Sequence, residues 1–470
     1  MKDRKIIKVL SVFSSKELKL FIRFVQSPYF NTSKTLVDLL TYFNQFAPKF
    51  TSNKLSVENA FKILYPNKKF DEQVINRQIS SLFKLAEEFI VLIVSEKYTI
   101  KKYINILEYY KDNQLFPYFE SWTNKLTKLN ADYVYRDYDY YHHQYLIEYQ
   151  NATNLAEADN RNQNLDFDVT ERAFDIQYWI KKLHILCAKL NRNTFVSGQT
   201  IDHLKVEQVI DYLNKSDYLE IPAIQVRYAA LKLLYQPDQK QNYDQLKKLL
   251  KELHFNLKSE GIQSFYTFLV NCVPMYYESG TKRYEEYFDL FKVQINNGYI
   301  YFHGYIHPHI LKNVVTVALR LKKYEWAESF LKENKEKILS EESYYWNLAN
   351  LHYEKGEYSK SQDILLDNKY DDIFYQLGTK RMLVKIYYHL EYNDLLFSFI
   401  NTFRVFVSRK ELNSNQKKRH QNFINFTLKL MKSVQGDSKK LNALLDKIKS
   451  TEQLADKNWL IEQITVRINK

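Results

Sequence analysis

The sequence predicts an all-α protein in which an N-terminal helical module is followed by an α-solenoid of helical hairpins. Three observations carry this. Glycine and proline number only 8 each in 470 residues. Both interrupt helices, so their scarcity favours long helices joined by short polar turns. Apolar residues recur at i, i+3, i+4 and i+7 through most of the chain rather than alternating. Tyrosines 324, 358 and 392 stand 34 residues apart, twice, in otherwise helical sequence, and a fixed period of that size marks stacked two-helix units.

Residues 1–96 form the first module. In "FSSKELKLFIRFVQ", Ser14 and Glu17 make a capping box ahead of the stripe Leu18, Phe21, Ile22 and Val25. "SPYFN" then stops the helix, because Pro28 pushes Ser27 out of the α region. A second helix puts Leu36, Leu39, Leu40 and Phe43 on one face. "LSVENAFKILYP" reads as a short helix ended by Pro66, and 70–93 as a long amphipathic one. Residues 97–165 read as helical hairpins closed by the polar "QNATNLAEADNRNQNL" (150–165), a loop or hinge. Residues 166–307 read as irregular hairpins. They begin with "FDIQYWIKKLHILCAKL", whose apolar side holds Ile176, Trp179, Ile180, Leu183, Leu186 and Cys187. The clearest repeats span 308–409, and 410–470 reads as capping helices at about 415–434, 438–449 and 452–469. A repeat array needs such a polar cap at its end.

Composition narrows the function. Cys187 and Cys272 lie far apart with no CxxC pattern, which points to two buried small apolar residues rather than a disulfide framework or a zinc site. The N-terminal stretch has no apolar signal core, and the runs at 89–94 and 395–407 are shorter than the ~20 apolar residues of a spanning helix. A soluble cytoplasmic protein, with no membrane partner, is the expectation. The net charge of +13 sits at the ends: residues 1–70 hold 13 Lys and Arg against 4 Asp and Glu, and 404–470 hold 15 against 6. This asymmetry permits nucleic-acid contact through residues 1–70. However, the Lys and Arg there read as scattered rather than lined along one helical stripe, and no helix-turn-helix signature stands out.

The segments "LKKYEWAESF" (321–330), "EKGEYSKSQD" (354–363) and "HLEYNDLLFS" (389–398) align on their tyrosines. In "NLANLHYEKGEYSKS" (347–361), Ala349 and Ser361 are small residues that let two helices approach, Gly356 suits a left-handed turn, and Tyr358 follows it. On these residues the segment 308–409 resembles the tetratricopeptide-repeat family. Lys322 and Leu390 replace the turn glycine in the outer units, Leu383 and Leu395 replace small residues, and the closing proline is missing from all three. The chain as a whole looks like a broad group of bacterial proteins with a "SPYFN" head and a helical-repeat tail, a resemblance that implies no activity.

No glycine-rich phosphate loop, GxSxG, HExxH or EF-hand pattern occurs, so neither catalytic residues nor a cofactor is expected. His303, His307 and His309 fall in a turn that holds Gly304 and Pro308, and no metal is assigned there. Tyr138, Tyr141, Tyr145 and Tyr149 share a helical stripe that reads as an aromatic seam between helices rather than a base-stacking platform. The family resemblance implies a concave groove lined by first helices and binding a protein or peptide. Carried over residue by residue, its lining is Lys312, Thr316 and Arg320 with His309 and Asn313 in the first unit; Trp346, Asn347, Asn350 and Tyr353 in the second; and Lys380, Arg381 and Tyr387 with Val384 in the third. Lys312, Asn347 and Arg381 occupy three positions of the family's carboxylate clamp, while Thr316 and Leu377 depart from it. The function expected is a scaffold or adaptor, and the alternative is a nucleic-acid-binding regulator.

Overall fold

The structure, a computed structural model, describes all residues except 2, 98, 158–166, 196–201, 254–256, 434–437 and 470. The described residues are helical almost throughout, with one two-stranded hairpin. The chain divides into two compact units, Met1–Leu231 with Phe255–Leu257, and Lys232–His254 with Lys258–Lys470.

The first unit begins with α1 (Lys5–Val12), α2 (Ser15–Gln26), α3 (Lys34–Asn44), α4 (Val57–Leu64) and α5 (Glu72–Lys97). The Ser14–Glu17 capping box forms as the sequence implies, each satisfying a free amide at the start of α2. The apolar stripes of α1 to α4 close on α5, with Phe21 and Phe24 against Phe89. One feature of the head departs from expectation. Lys16, Lys19 and Arg23 all lie on the exposed face of α2, because spacings of three and seven residues return to the same side of a helix. Tyr29 stands 88 % exposed just beyond it.

Then follow α6 (Thr99–Asp112), α7 (Phe116–Ala131), α8 (Tyr138–Glu157), α9 (Asp168–Phe195), α10 (His203–Asn214) and α11 (Pro222–Tyr235), the last ending beyond the boundary between units. The expected loop at 150–165 is helical as far as Glu157, and its remainder lies outside the described residues. Its asparagines and alanines cost little in a helix anchored by packing against α9, so polarity alone misplaced the boundary. The aromatic stripe of α8 is a seam over three of its four tyrosines: Tyr141 is buried, Tyr145 meets Phe174 of α9, and Tyr138 stacks on His142 beneath Lys181, whereas Tyr149 is 45 % exposed. The free thiol of Cys272 is buried as expected, whereas Cys187 is only half-buried, at the edge of the apolar side of α9.

The second unit contains α12 (Lys240–Leu253), α13 (Ser259–Tyr276) and α14 (Thr281–Asn296), then β1 (Tyr301–Phe302) and β2 (Tyr305–Ile306). Tyr301 pairs with Ile306 around the turn His303–Gly304. Both turn residues have positive φ, the geometry that two-residue hairpins favour. After it come α15 (Pro308–Arg320), α16 (Tyr324–Asn334), α17 (Glu341–Glu354), α18 (Tyr358–Asp367), α19 (Ile373–His389) and α20 (Asn393–Arg409). The end is built by α21 (Ser414–Lys432), α22 (Ser438–Ser450) and α23 (Lys457–Asn469). Neighbouring helices pack in series, and α15, α17 and α19 also pack side by side, as a helical-repeat solenoid requires. Residues 452–456, expected inside the last helix, form the turn before it. Among the described residues no helix is long and apolar enough to cross a membrane.

Candidate binding cavity on the first helices of the repeats

The repeats are defined by how their first helices end. Lys322, Gly356 and Glu391 take positive φ (55°, 80° and 57°). After each, the next amide bonds the carbonyl five residues back: Lys323 to Ala318 at 2.9 Å, Glu357 to His352 at 2.9 Å, and Tyr392 to Tyr387 at 3.0 Å. This is the Schellman closure, which satisfies carbonyls that a helix end leaves open. The residues that follow, Lys323, Glu357 and Tyr392, share one conformation, with ψ of 62°, 61° and 62°.

The spacing of these closures is 34 and then 35 residues. Tyr324 and Tyr358 are first residues of their helices, whereas Tyr392 stands one position earlier, before α20. The 34-residue tyrosine period is therefore real in sequence but one residue out of step with the third turn. The buried small-residue positions shift with it. Ala327 and Ser361 correspond to buried Leu396 rather than to Leu395, which is 47 % exposed. Likewise Ala349 corresponds to Val384, not Leu383.

Counted back ten, six and two residues from each closure, the first helices present Lys312, Thr316 and Arg320; Trp346, Asn350 and Glu354; and Arg381, Lys385 and His389. All but His389 line one cavity of about 240 Å³, joined by Leu319, Phe374, Gly378, Met382 and Asp456. His389 lines an adjoining cavity of about 450 Å³ with Tyr353, Tyr358, Arg419 and Trp459. Arg320, Glu354, Lys385 and Asp456 border both.

Six of the ten groove residues assigned from sequence are thus brought together: Lys312, Thr316, Arg320, Trp346, Asn350 and Arg381. Tyr353 faces the neighbouring cavity, with its hydroxyl 3.2 Å from His389 Nε2 and Lys385 over its ring. The other three lie elsewhere. Asn347 is fully buried, donating from Nδ2 to Ser343 O at 2.7 Å, because it sits one residue, about 100°, round from Trp346. Lys380 lies over Phe399 and Phe406 of α20, and Tyr387 is buried edge-on to Phe399. For these two the cause is the extra residue in the third repeat. It turns the assigned stripe away from the cavity and puts Arg381 and Lys385 in its place. His309 and Asn313 are exposed on α15, outside the cavity lining.

The cavity is electropositive. Lys312, Arg320, Arg381 and Lys385 face only Glu354 and Asp456. Lys312 is half-buried, and its ammonium lies 4.4 Å from the centre of the Phe374 ring. Among the described residues it makes no ion pair. Burial, with repulsion from Arg381 and Arg419, pulls its pKa below the ordinary lysine value. Asp456 reaches in from the turn before α23, with a left-handed φ of 46°. Its oxygens lie 3.5 Å from Arg381 Nε and 3.8 Å from Lys385 Nζ, too distant for strong hydrogen bonds. Burial works to raise its pKa, but Lys385, Arg381, His420 and Arg419 outweigh this and hold the carboxyl below its usual range.

One wall is set by a glycine. A side chain at Gly378 would place its Cβ 2.8 Å from Trp346 Nε1. The indole thus packs directly on the backbone of α19, and its buried N–H has no acceptor. Lys385, Gly378 and Asp456 were not assigned from sequence. The third-repeat residues were hidden by the one-residue insertion, and Asp456 by its place in a stretch that reads as continuous helix. Among the described residues, no group of three His, Cys, Asp or Glu side chains is placed to hold a metal ion. Comparisons with family models, with curated proteins and with solved structures return no match for this chain.

Proposed function

We propose that this chain is a non-catalytic scaffold or adaptor inside the cell, holding a protein or peptide partner across α15, α17 and α19. The observation that carries the reading is the convergence of one turn-relative position from three repeats, Lys312, Trp346 and Arg381, on a single cavity. Packing alone does not favour half-buried cations facing open volume, since a buried charge without a partner is costly. A tetratricopeptide-like groove is consistent with the repeat closures, and a bacterial source is proposed with it on the resemblance of the chain's head and repeat tail alone. Affinity capture with the intact chain followed by mass spectrometry tests it, using nuclease-treated lysate. Recovery of the same protein by wild type, and its loss with Lys312→Ala/Arg381→Ala, supports the reading. Recovery unchanged by the double substitution removes the cavity from it.

The alternative is a nucleic-acid-binding regulator, and the exposed row of Lys16, Lys19 and Arg23 on α2 favours it. Three phosphate contacts give a salt slope of about −2.7 on duplex DNA. Retention of the full chain on DNA with that slope, abolished by glutamine at the three positions, supports this reading; absence of binding at low salt ends it.

A further inference from the structure

We propose that the cavity between α15, α17 and α19 binds a phosphomonoester dianion, and that Asp456 is a built-in anion which the ligand displaces. This rests on the reading of that face as the binding surface and names the chemistry it selects.

The first argument is charge. Four cations face two carboxylates in a cavity of about 240 Å³, an excess of two positive charges with Asp456 in place and of three once it is displaced. A phosphomonoester carries about −1.5 to −2 at neutral pH, whereas a carboxylate carries one charge and leaves at least half of the excess unmet. Arg320 is exposed, but the other three cations are largely withdrawn from solvent. Arg381 and Lys385 are only 19 % and 12 % exposed at their side chains. Lys312 has the Phe374 ring as its close partner and like charges as its electrostatic neighbours.

The second argument is the donor inventory. Arg381 Nε and Trp346 Nε1 are buried at the wall without an acceptor, and Trp346 itself is 8 % exposed. A wall rich in unfilled donors suits a group that only accepts hydrogen bonds, and guanidinium groups match phosphate oxygens in geometry.

The third argument is the position of Asp456. It is the chain's own anion at this site, held on a left-handed backbone that L side chains seldom adopt. Yet it stops short of hydrogen-bonding distance from either cation, and its buried Oδ2 has no donor. The pair is preorganised but incomplete. A phosphate that bonded Arg381 and Lys312 directly would replace a loose ion pair by charge-assisted hydrogen bonds. Two sources supply this chemistry, a phosphorylated side chain of a partner or a free phosphorylated metabolite.

Calorimetry on the full chain tests the proposal. The probes are inorganic phosphate, phosphoserine, a phosphoserine peptide, and the same peptide with serine or glutamate. The phosphorylated probes should bind at least tenfold more tightly than the glutamate peptide. Asp456→Asn keeps the shape and should tighten phosphate binding about tenfold, while Lys312→Met and Arg381→Gln should each weaken it about tenfold or more. Thermal melts of each variant check folding, and Lys312→Met keeps the test decisive if Arg381→Gln fails to fold. A peptide bound far better than phosphoserine identifies a partner side chain as the source, and equal binding identifies a free metabolite. Glutamate and phosphoserine peptides binding alike, or Asp456→Asn leaving phosphate binding unchanged or weaker, overturns the proposal. If no phosphorylated probe binds while a protein is still captured through Lys312 and Arg381, the phosphate inference falls and the partner-binding function stands. If capture is lost as well, both fall.

Discussion

Trp459 Nε1 lies 3.2 Å from His389 Nε2 and donates a hydrogen bond to it. An indole N–H can only donate, so this histidine nitrogen must accept, and the ring proton belongs on Nδ1. The bond ties α23 to the end of α19, and Tyr358 stacks on the same imidazole with centroids 4.5 Å apart and planes 4° from parallel. The terminal helices are thus fastened to the third repeat through a neutral histidine.

That neutrality predicts acid sensitivity. Burial, reinforced by Lys385, pulls the His389 pKa below its ordinary value, and burial with Arg381 and Arg419 pulls buried His420 down to about 4. Where a histidine's folded pKa lies below its unfolded value near 6.5, the unfolded chain binds more protons between the two, so stability is complete above 6.5 and declines as pH falls. For His420 the decline runs from about 6.5 to about 4 and amounts to about 3 kcal/mol. Urea unfolding of the intact chain at pH 7.5 and at pH 5 should show a lower midpoint in acid. His420→Leu should flatten that dependence, and an unchanged slope would refute the assignment.

The turn residues predict an effect of opposite sign. Lys322 and Glu391 hold left-handed backbone where Gly356 does so freely, and such a conformation costs a non-glycine residue about 1–2 kcal/mol. Part of that gain is cancelled by the added freedom of an unfolded glycine. Lys322→Gly and Glu391→Gly should therefore each stabilise by up to about 1 kcal/mol, while Gly356→Ala should destabilise by about as much. Chemical denaturation of the three variants measures this. Stabilisation by alanine at 356 would show that the closure is not the constraint described.

These turns also explain what sequence could and could not reveal. The helices, the capping box at Ser14, the first two repeats and six of the ten groove positions were legible, because apolar period and cap chemistry are local. The third repeat was not. Tyr392 keeps the 34-residue interval, but the chain closes its helix on Glu391, a residue type that announces no turn. One added residue rotates a helical stripe by about 100°, enough to exchange Lys380 and Tyr387 for Arg381 and Lys385. Asp456 was invisible for a different reason. Its role depends on a turn from the far end of the unit meeting α19, a contact 75 residues away in sequence that no local pattern encodes.

In the first unit, Arg227 Nη2 and Asp137 Oδ1 form an ion pair at 2.7 Å with both side chains below a tenth exposed. The guanidinium also donates to Ala223 O at 2.8 Å. Removing one partner strands a buried charge, which costs about 3–5 kcal/mol, whereas replacing both by apolar residues is often close to neutral. Arg227→Met and Asp137→Leu should each lower the melting temperature of the unit spanning 1–231 sharply, and the double substitution should recover most of the loss. A double variant as unstable as the sum of the singles would show no coupling between the two side chains, and that their stabilisation comes from other contacts than the ion pair.

Gly378 offers the most direct test of the cavity wall. On helix propensity alone, Gly378→Ala within α19 should stabilise by roughly 0.5–1 kcal/mol. Packing opposes this, because the added Cβ would meet Trp346 Nε1 at 2.8 Å and Cε2 at 3.2 Å, and a rigid indole cannot yield as a flexible side-chain tip would. Overpacking of this kind typically costs about 1–3 kcal/mol, so the net effect should be destabilising, with the ring pushed toward the cavity. Thermal unfolding should show the loss, and ligand or partner binding should weaken because the volume between Lys312 and Arg381 shrinks. A variant that melts higher and binds as well as wild type would mean that Trp346 has room to retreat, and that the glycine is not what shapes this wall.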